Sequence, residues 1–225
     1  MGGVPVVMVH GFASSFERNW REPGWVDLLA EQGREVIGVD LLGHGTAAKP
    51  HDPRAYAELE RSVLAVLPQD RMADAIGFSL GGQILLRAAA TAPDRFRKIV
   101  IGGVADNVFT SPASELTAHA IETGEYLGRD PVSAAIARFA KAPGNDPAAL
   151  AACLRRPPDA LTEADLGGVS VSVLVVVGEK DFAGSADRMI AALPDARLLP
   201  LPGMDHFGTP KDFRFVEAAL DFIRG

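Results

Sequence analysis

Six short runs rich in Val and Ile, each bounded by turn residues, recur along this 225-residue chain and leave it few folds to adopt. They are VPVVMVH (4–10), EVIGVD (35–40), MADAIGF (72–78), KIVIGG (98–103), VSVLVVVG (171–178) and ARLLPLP (196–202). Each is too short for a helix and too continuously apolar for a strand with one wet face, so they read as strands of a mostly parallel sheet buried on both sides. Segments with helical spacing lie between them: WVDLLAEQG (25–33), YAELERSVLAVLP (56–68), GQILLRAAATAP (82–93), SADRMIAALP (185–194) and KDFRFVEAALDFIR (211–224). Strand alternating with helix predicts an α/β fold, a doubly wound sheet of about six strands with helices on both faces.

The alternation breaks once. Between the fourth and fifth strands the chain carries helical runs separated by Gly and Pro and no convincing strand, where a plain crossover needs far fewer residues. The expectation is one core domain, residues 1–105 and 169–225, with a helical cap inserted over 106–168.

A net charge of -7 argues against a phosphate-backbone partner, since nucleic-acid binding draws on clustered Lys and Arg. The longest basic clusters, RFRK at 95–98 and RR at 155–156, read as a solvated helix end and a surface pair. The single cysteine, Cys153, cannot form an internal disulfide, and the first residues lack the basic and long apolar regions of a signal peptide. These features point to a reducing, cytoplasmic compartment. No apolar run approaches the roughly 18 to 20 residues of a membrane span.

The chemistry of acyl transfer needs a nucleophile, a base, a group that orients the base, and donors for an oxyanion. In a parallel sheet these belong in the loops that follow the strands. Ser79 lies in GFSLGG (77–82), directly after the third strand and at the start of a helix. It could be an idle helix cap. The other reading is a nucleophile on a G-x-S-x-G elbow, where any side chain at Gly77 or Gly81 would clash, and the rest of the chain has to decide between them. Asp181 follows the fifth strand in GEKD, and His206 follows the sixth in GMDHFG, giving the order Ser, Asp, His. After the first strand, the Phe12 amide in VHGF is a candidate oxyanion donor, with the Leu80 amide as the second. Gly11 would let that loop close in, and His10 would shape it by hydrogen bonding.

On these pieces the chain resembles the α/β-hydrolase family, in particular its capped esterase-like members. The matching motifs are HGF, DLLGHG (40–45), GFSLGG, GEKD and DHF (205–207), in family order and at the ends of the expected strands. The resemblance implies a Ser79, Asp181 and His206 triad, an oxyanion hole from Phe12 and Leu80, and hydrolysis through an acyl-enzyme without a metal or organic cofactor. The family sheet usually opens with two further strands before HGF. Their absence leaves an exposed edge that could pair in a homodimer.

Other residues are weighed against these. Asp106 follows the fourth strand and is a second candidate for the triad acid, while Asp205 is expected to point away from His206. Asp40 and His44 are read as fixing the shape of the DLLGHG loop, and His51 and His119 as surface residues. Trp20, Trp25, Phe109, Tyr126 and Phe139 could line a pocket or simply pack. No H-E-x-x-H, paired Cys or G-K-[ST] ending marks a metal or phosphate site.

The reading is a hydrolase of small to medium, fairly apolar carboxylic esters. One alternative is a carbon-carbon bond or lactone hydrolase, in which Arg138, Arg155 or Arg156 would hold a substrate carboxylate. The other is a ligand-binding protein with little turnover.

Overall fold

The computed structural model describes residues 3–110, 115–126, 128–158 and 160–224. The apolar runs form six parallel strands among these residues: β1 (Val6–Val9), β2 (Val36–Val39), β3 (Ala73–Phe78), β4 (Phe96–Gly102), β5 (Ser172–Gly178) and β6 (Ala196–Leu201). Their order across the sheet is β2-β1-β3-β4-β5-β6. The chain therefore steps one way from β1 to β2 and then crosses back to β3. That reversal opens a crevice above the carboxyl ends of β1 and β3, where ligands bind in sheets of this kind.

Successive strand residues face opposite sides, and the core divides accordingly. Val7, Val9 and Ala75 pack beneath α2 (Glu60–Val66) and α3 (Leu80–Thr91). Val6, Met8, Ile76, Val100 and Leu174 face α1 (Trp25–Glu31) and α9 (Phe213–Arg224) on the other side. Trp20 and Trp25 are fully buried in this second layer, so they pack the core and line no pocket.

Between β4 and β5 lie α4 (Glu115–Thr123), α5 (Pro131–Ala140), α6 (Pro147–Leu154) and α7 (Glu163–Gly167). Local chemistry sets their starts. Asp130 and Asp146 accept from backbone N–H groups of the first turns of α5 and α6, each with Pro at the first helical position, and Thr162 and Asp165 cap α7 reciprocally. α4, α5 and α6 share a small alanine-rich core, including Ala118, Ile121, Ala137 and Leu150, which Ala13 of the loop after β1 joins. After β5, α8 (Asp187–Ala192) precedes β6.

The basic cluster at 95–98 is not a solvated helix end. Phe96 begins β4 and is buried, which draws its neighbours onto the sheet. Arg97 donates to the fully buried Asp74 carboxylate at 2.7 and 2.8 Å, and Arg34 pairs with the same group. Both arginines also reach the Ile223 carbonyl near the end of α9, tying that helix to the sheet. A buried carboxylate requires such partners, and only the loss of both arginines would leave its charge uncompensated.

Candidate active site

β3 ends at Phe78 and α3 begins at Leu80, which leaves Ser79 alone in the bend with φ 52° and ψ −117°. That backbone costs a non-glycine residue roughly 1–3 kcal/mol and persists only where the surroundings enforce it. Here the Ser79 N–H donates to the Gly102 carbonyl on β4 at 2.8 Å, and the Ser79 carbonyl accepts from the Gln83 N–H at 3.0 Å. α3 also passes very close to the end of β1. A Cβ on Gly81 would lie 2.3 Å from the Val9 carbonyl oxygen and 2.5 Å from that of His10, and one on Gly77 would lie 2.8 Å from the Gly81 carbonyl. Both glycines are required by space at the bend.

Two strand ends further along the sheet, Asp181 and His206 meet. His206 Nδ1 lies 2.8 and 3.0 Å from the two Asp181 carboxylate oxygens, and His206 Nε2 lies 3.0 Å from Ser79 Oγ. A carboxylate only accepts, so the imidazole proton sits on Nδ1, and the Nε2 lone pair faces the hydroxyl. Asp181 Oδ1 also accepts from the Ala183 N–H at 2.8 Å, which fixes the carboxylate. Both side chains are buried. Gly103, at φ 66°, brings the backbone beside the ring. A Cβ there would stand 3.0 Å from His206 Cε1 and 2.7 Å from the Phe78 ring.

The loop after β1 is held from several directions. The Gly11 N–H donates to Asn19 Oδ1 at 3.1 Å, and the Ala13 carbonyl accepts from Asn145 Nδ2 at 2.9 Å. His10 is fully buried; its Nδ1 donates to the Gly11 carbonyl at 2.7 Å, and its Nε2 accepts from the Leu41 N–H at 3.1 Å. Burial pushes its pKa down, outweighing the Gly11 bond and the Asp40 charge, so the ring stays neutral. His44 packs against both His10 and Phe12, at ring separations of 5.1 and 5.5 Å. Burial first, then His10, lowers the His44 pKa to about 3. Asp40 accepts from the N–H groups of Phe16 and Thr46; burial raises its pKa, but these bonds outweigh it and the carboxyl is held below its ordinary range. The Phe12 and Leu80 amides, by contrast, donate to no acceptor among the described residues.

A cavity of about 530 Å³ opens above Ser79, bounded by Phe12, Leu80 and His206 below and by Ile136, Phe139 and Leu154 of α5 and α6 above. Several other residues fall elsewhere. Asp106 accepts from the Met189 N–H and Asp205 from the Gly208 N–H, so neither carboxylate serves His206. His51 is exposed and pairs with Asp146 at 3.0 Å, and His119 is half-buried on α4. Phe109 packs on the core beneath the Arg188 guanidinium, and the Tyr126 hydroxyl donates to the Asp130 carbonyl.

The arginine pair is not a surface pair. Arg155 is drawn to Glu115 and Glu122 on α4, while Arg156 is buried, donates to the Cys153 carbonyl at 3.0 Å and lines the cavity. A helix end inside the fold, invisible to local composition, puts it there. Sequence reasoning also passed over Phe182 and Phe207, whose rings flank His206 at 4.1 and 5.6 Å. The available signal was their position, each one residue after Asp181 or His206.

The arrangement pairs a hydroxyl with a lone-pair nitrogen and has two unused amides, Phe12 in the loop after β1 and Leu80 at the start of α3, where the helix end favours developing negative charge. Known proteins can be set beside it. The chain is 42% identical over 98 residues to the dihydrolipoyllysine-residue acetyltransferase component of the acetoin cleaving system of Pseudomonas putida, a match spanning 42% of this chain and only 25% of that one. It is 29% identical over 231 aligned positions to the pimeloyl-[acyl-carrier protein] methyl ester esterase of Nitrosomonas europaea, covering 91% of this chain and 89% of the relative. The esterase EaEST of Exiguobacterium antarcticum shares the fold, with a TM-score of 0.78 at 20% identity over 100% of this chain and 93% of that one. Residues 4–127, more than half of the chain, match the model of the alpha/beta hydrolase fold family, and the chain belongs to that family.

Proposed function

We propose that this hydrolase-family chain is a serine hydrolase of carboxylic esters with small to medium, fairly apolar groups. The observation that carries the reading is the line of hydrogen bonds from Asp181 through His206 to Ser79 Oγ, ending in the floor of a cavity. Similarity to a methyl ester esterase over nearly the whole of both chains supports it.

Ser79 Oγ attacks the ester carbonyl as its proton passes to His206 Nε2, and Asp181 stabilises the imidazolium that results. The Phe12 and Leu80 amides hold the oxyanion. His206 then gives the proton to the leaving alcohol, and water resolves the acyl-enzyme by the same steps. Residues 106–168 act as a cap over the acyl-transfer centre.

Asp181→Asn tests the reading. The amide presents a donor or a weaker acceptor to Nδ1, so the imidazole loses the tautomer it needs. Steady-state hydrolysis of a simple ester is expected to fall on the order of 10⁴-fold in kcat. A loss of less than about tenfold, in a variant with wild-type thermal stability, would remove Asp181 from the mechanism.

A second reading, lactone or carbon-carbon bond hydrolysis by the same three groups, draws on one feature. The buried Arg156 on the cavity wall suits a substrate carboxylate. Preference for acidic enol-lactones or dienones over simple esters would select it.

A further inference from the structure

The geometry points to an aromatic subsite for the leaving alcohol, formed by Phe182, Phe207 and Phe139, which makes esters of aryl-bearing alcohols the favoured substrates. This rests on the ester-hydrolase reading above and deepens it by saying which half of the substrate carries the apolar group.

Chemistry decides where that half must lie. In the acylation step a bond forms between Ser79 Oγ and the carbonyl carbon, and the bond from that carbon to the alcohol oxygen breaks. The proton that left Ser79 ends on the alcohol oxygen by way of His206 Nε2. The leaving oxygen must therefore come within hydrogen-bond reach of Nε2, and the group attached to it starts beside the imidazole. The carbonyl oxygen points the other way, toward the Phe12 and Leu80 amides.

What surrounds the imidazole is aromatic. The Phe182 ring centroid lies 4.1 Å from that of His206 with a tilt of 34°, and Phe207 meets His206 edge-on at 5.6 Å. Phe207 in turn reaches Phe139 of α5 at 5.8 Å and Phe182 at 6.2 Å, and all three line the cavity. These separations suit aromatic rings, which prefer tilted and edge-on contacts.

Packing alone does not account for the cluster. Phe139, Phe182 and Phe207 remain 42%, 39% and 41% exposed, three of the nine large apolar side chains left exposed among the described residues, and they converge on one spot. Contiguous exposed apolar surface of this kind marks a binding site. The rings come from the segments that carry Asp181 and His206 and from the helical insertion facing them, so the subsite is continuous with the acyl-transfer centre. A ring on the alcohol would complete the cluster, and an alkyl alcohol of one or two carbons would leave it wet.

The test is a pair of matched ester series on the full chain. Ethyl, cyclohexylmethyl and benzyl butyrate vary the alcohol; ethyl butyrate and ethyl phenylacetate vary the acyl group. Benzyl butyrate is expected to exceed ethyl butyrate in kcat/KM by about tenfold or more, with cyclohexylmethyl between them. Phe139→Ala, whose ring meets Phe207 and makes no ring contact with His206, is expected to reduce that ratio about threefold or more and to leave the acyl ratio unchanged, with Phe139→Leu between. Equal rates for benzyl and ethyl butyrate, or a Phe139→Ala effect shared by both series as simple shielding of His206 requires, would overturn the subsite while ester hydrolysis stands. No turnover of any ester would overturn the hydrolase reading beneath it, and the subsite with it.

Discussion

Replacing Ser79 with alanine is expected, on the proposed acyl-transfer mechanism, to lower ester hydrolysis on the order of 10⁶-fold in kcat, because a triad acts as a unit and losing its nucleophile forfeits nearly all of its effect. Steady-state kinetics on a freely soluble ester would measure it. The structure gives reason to expect a folded variant. Ser79 is held in its bend by backbone bonds to Gly102 and Gln83, neither of which uses the hydroxyl. Alanine keeps those bonds and loses only the Oγ contact to His206. A residual rate above water would come from the oxyanion donors and from binding. Activity within about tenfold of wild type, with the contaminating background accounted for, would mean the hydroxyl is idle.

Acid is expected to destabilise the protein, in large part through His44. In the unfolded chain this imidazole titrates at its ordinary 6.5, but in the fold burial, then the neighbouring His10, lowers its pKa to about 3. Between those values the unfolded state binds a proton that the native state refuses, so stability rises with pH. The contribution is complete above 6.5 and is lost as the pH falls toward 3. The loss amounts to about 3 kcal/mol by pH 4.5 and about 5 kcal/mol in full. His10 is shifted in the same direction by the same cause and adds to the slope.

Urea unfolding at about pH 7 and pH 4.5 would show the loss, and His44→Asn would isolate it. The asparagine amide can still donate to the Leu42 carbonyl that His44 Nδ1 now contacts at 2.9 Å, but it cannot titrate. The variant is expected to be weaker than wild type at neutral pH, because it leaves a void, yet flatter with pH by about 3 kcal/mol. An unchanged slope would show that His44 does not govern acid stability.

Much of this architecture is legible in residue order. VVMV, ADAIGF and SVLVVVG are apolar without interruption because both faces of the sheet are covered, and that property survives in the sequence as a continuous run. The insertion reads as helical runs separated by Gly and Pro, and the structure starts two of them at Asp130-Pro131 and Asp146-Pro147, a local interaction that the sequence reading did not use. Ser79, Asp181 and His206 stand out for a related reason. Each follows a strand end, and parallel strands bring such ends to one side of the sheet, where the three side chains share hydrogen bonds.

What local pattern could not supply is which long-range neighbour each side chain meets. RFRK looks solvated until β4 is laid beside β3 and the buried Asp74 faces Arg97. Arg155 and Arg156 look alike, yet one meets glutamates on α4 and the other turns into the cavity. Phe182 and Phe207 carry no periodic signal at all, because their partner is an imidazole ring placed by a turn.

The most direct measurement is intact mass after incubation with a fluorophosphonate, on wild type and Ser79→Ala in parallel. An activated Ser79 yields a single adduct on the wild type and none on the variant. A folded wild type that stays unmodified, or an equal adduct on both proteins, would contradict acyl transfer at Ser79 and leave the cavity as a binding pocket.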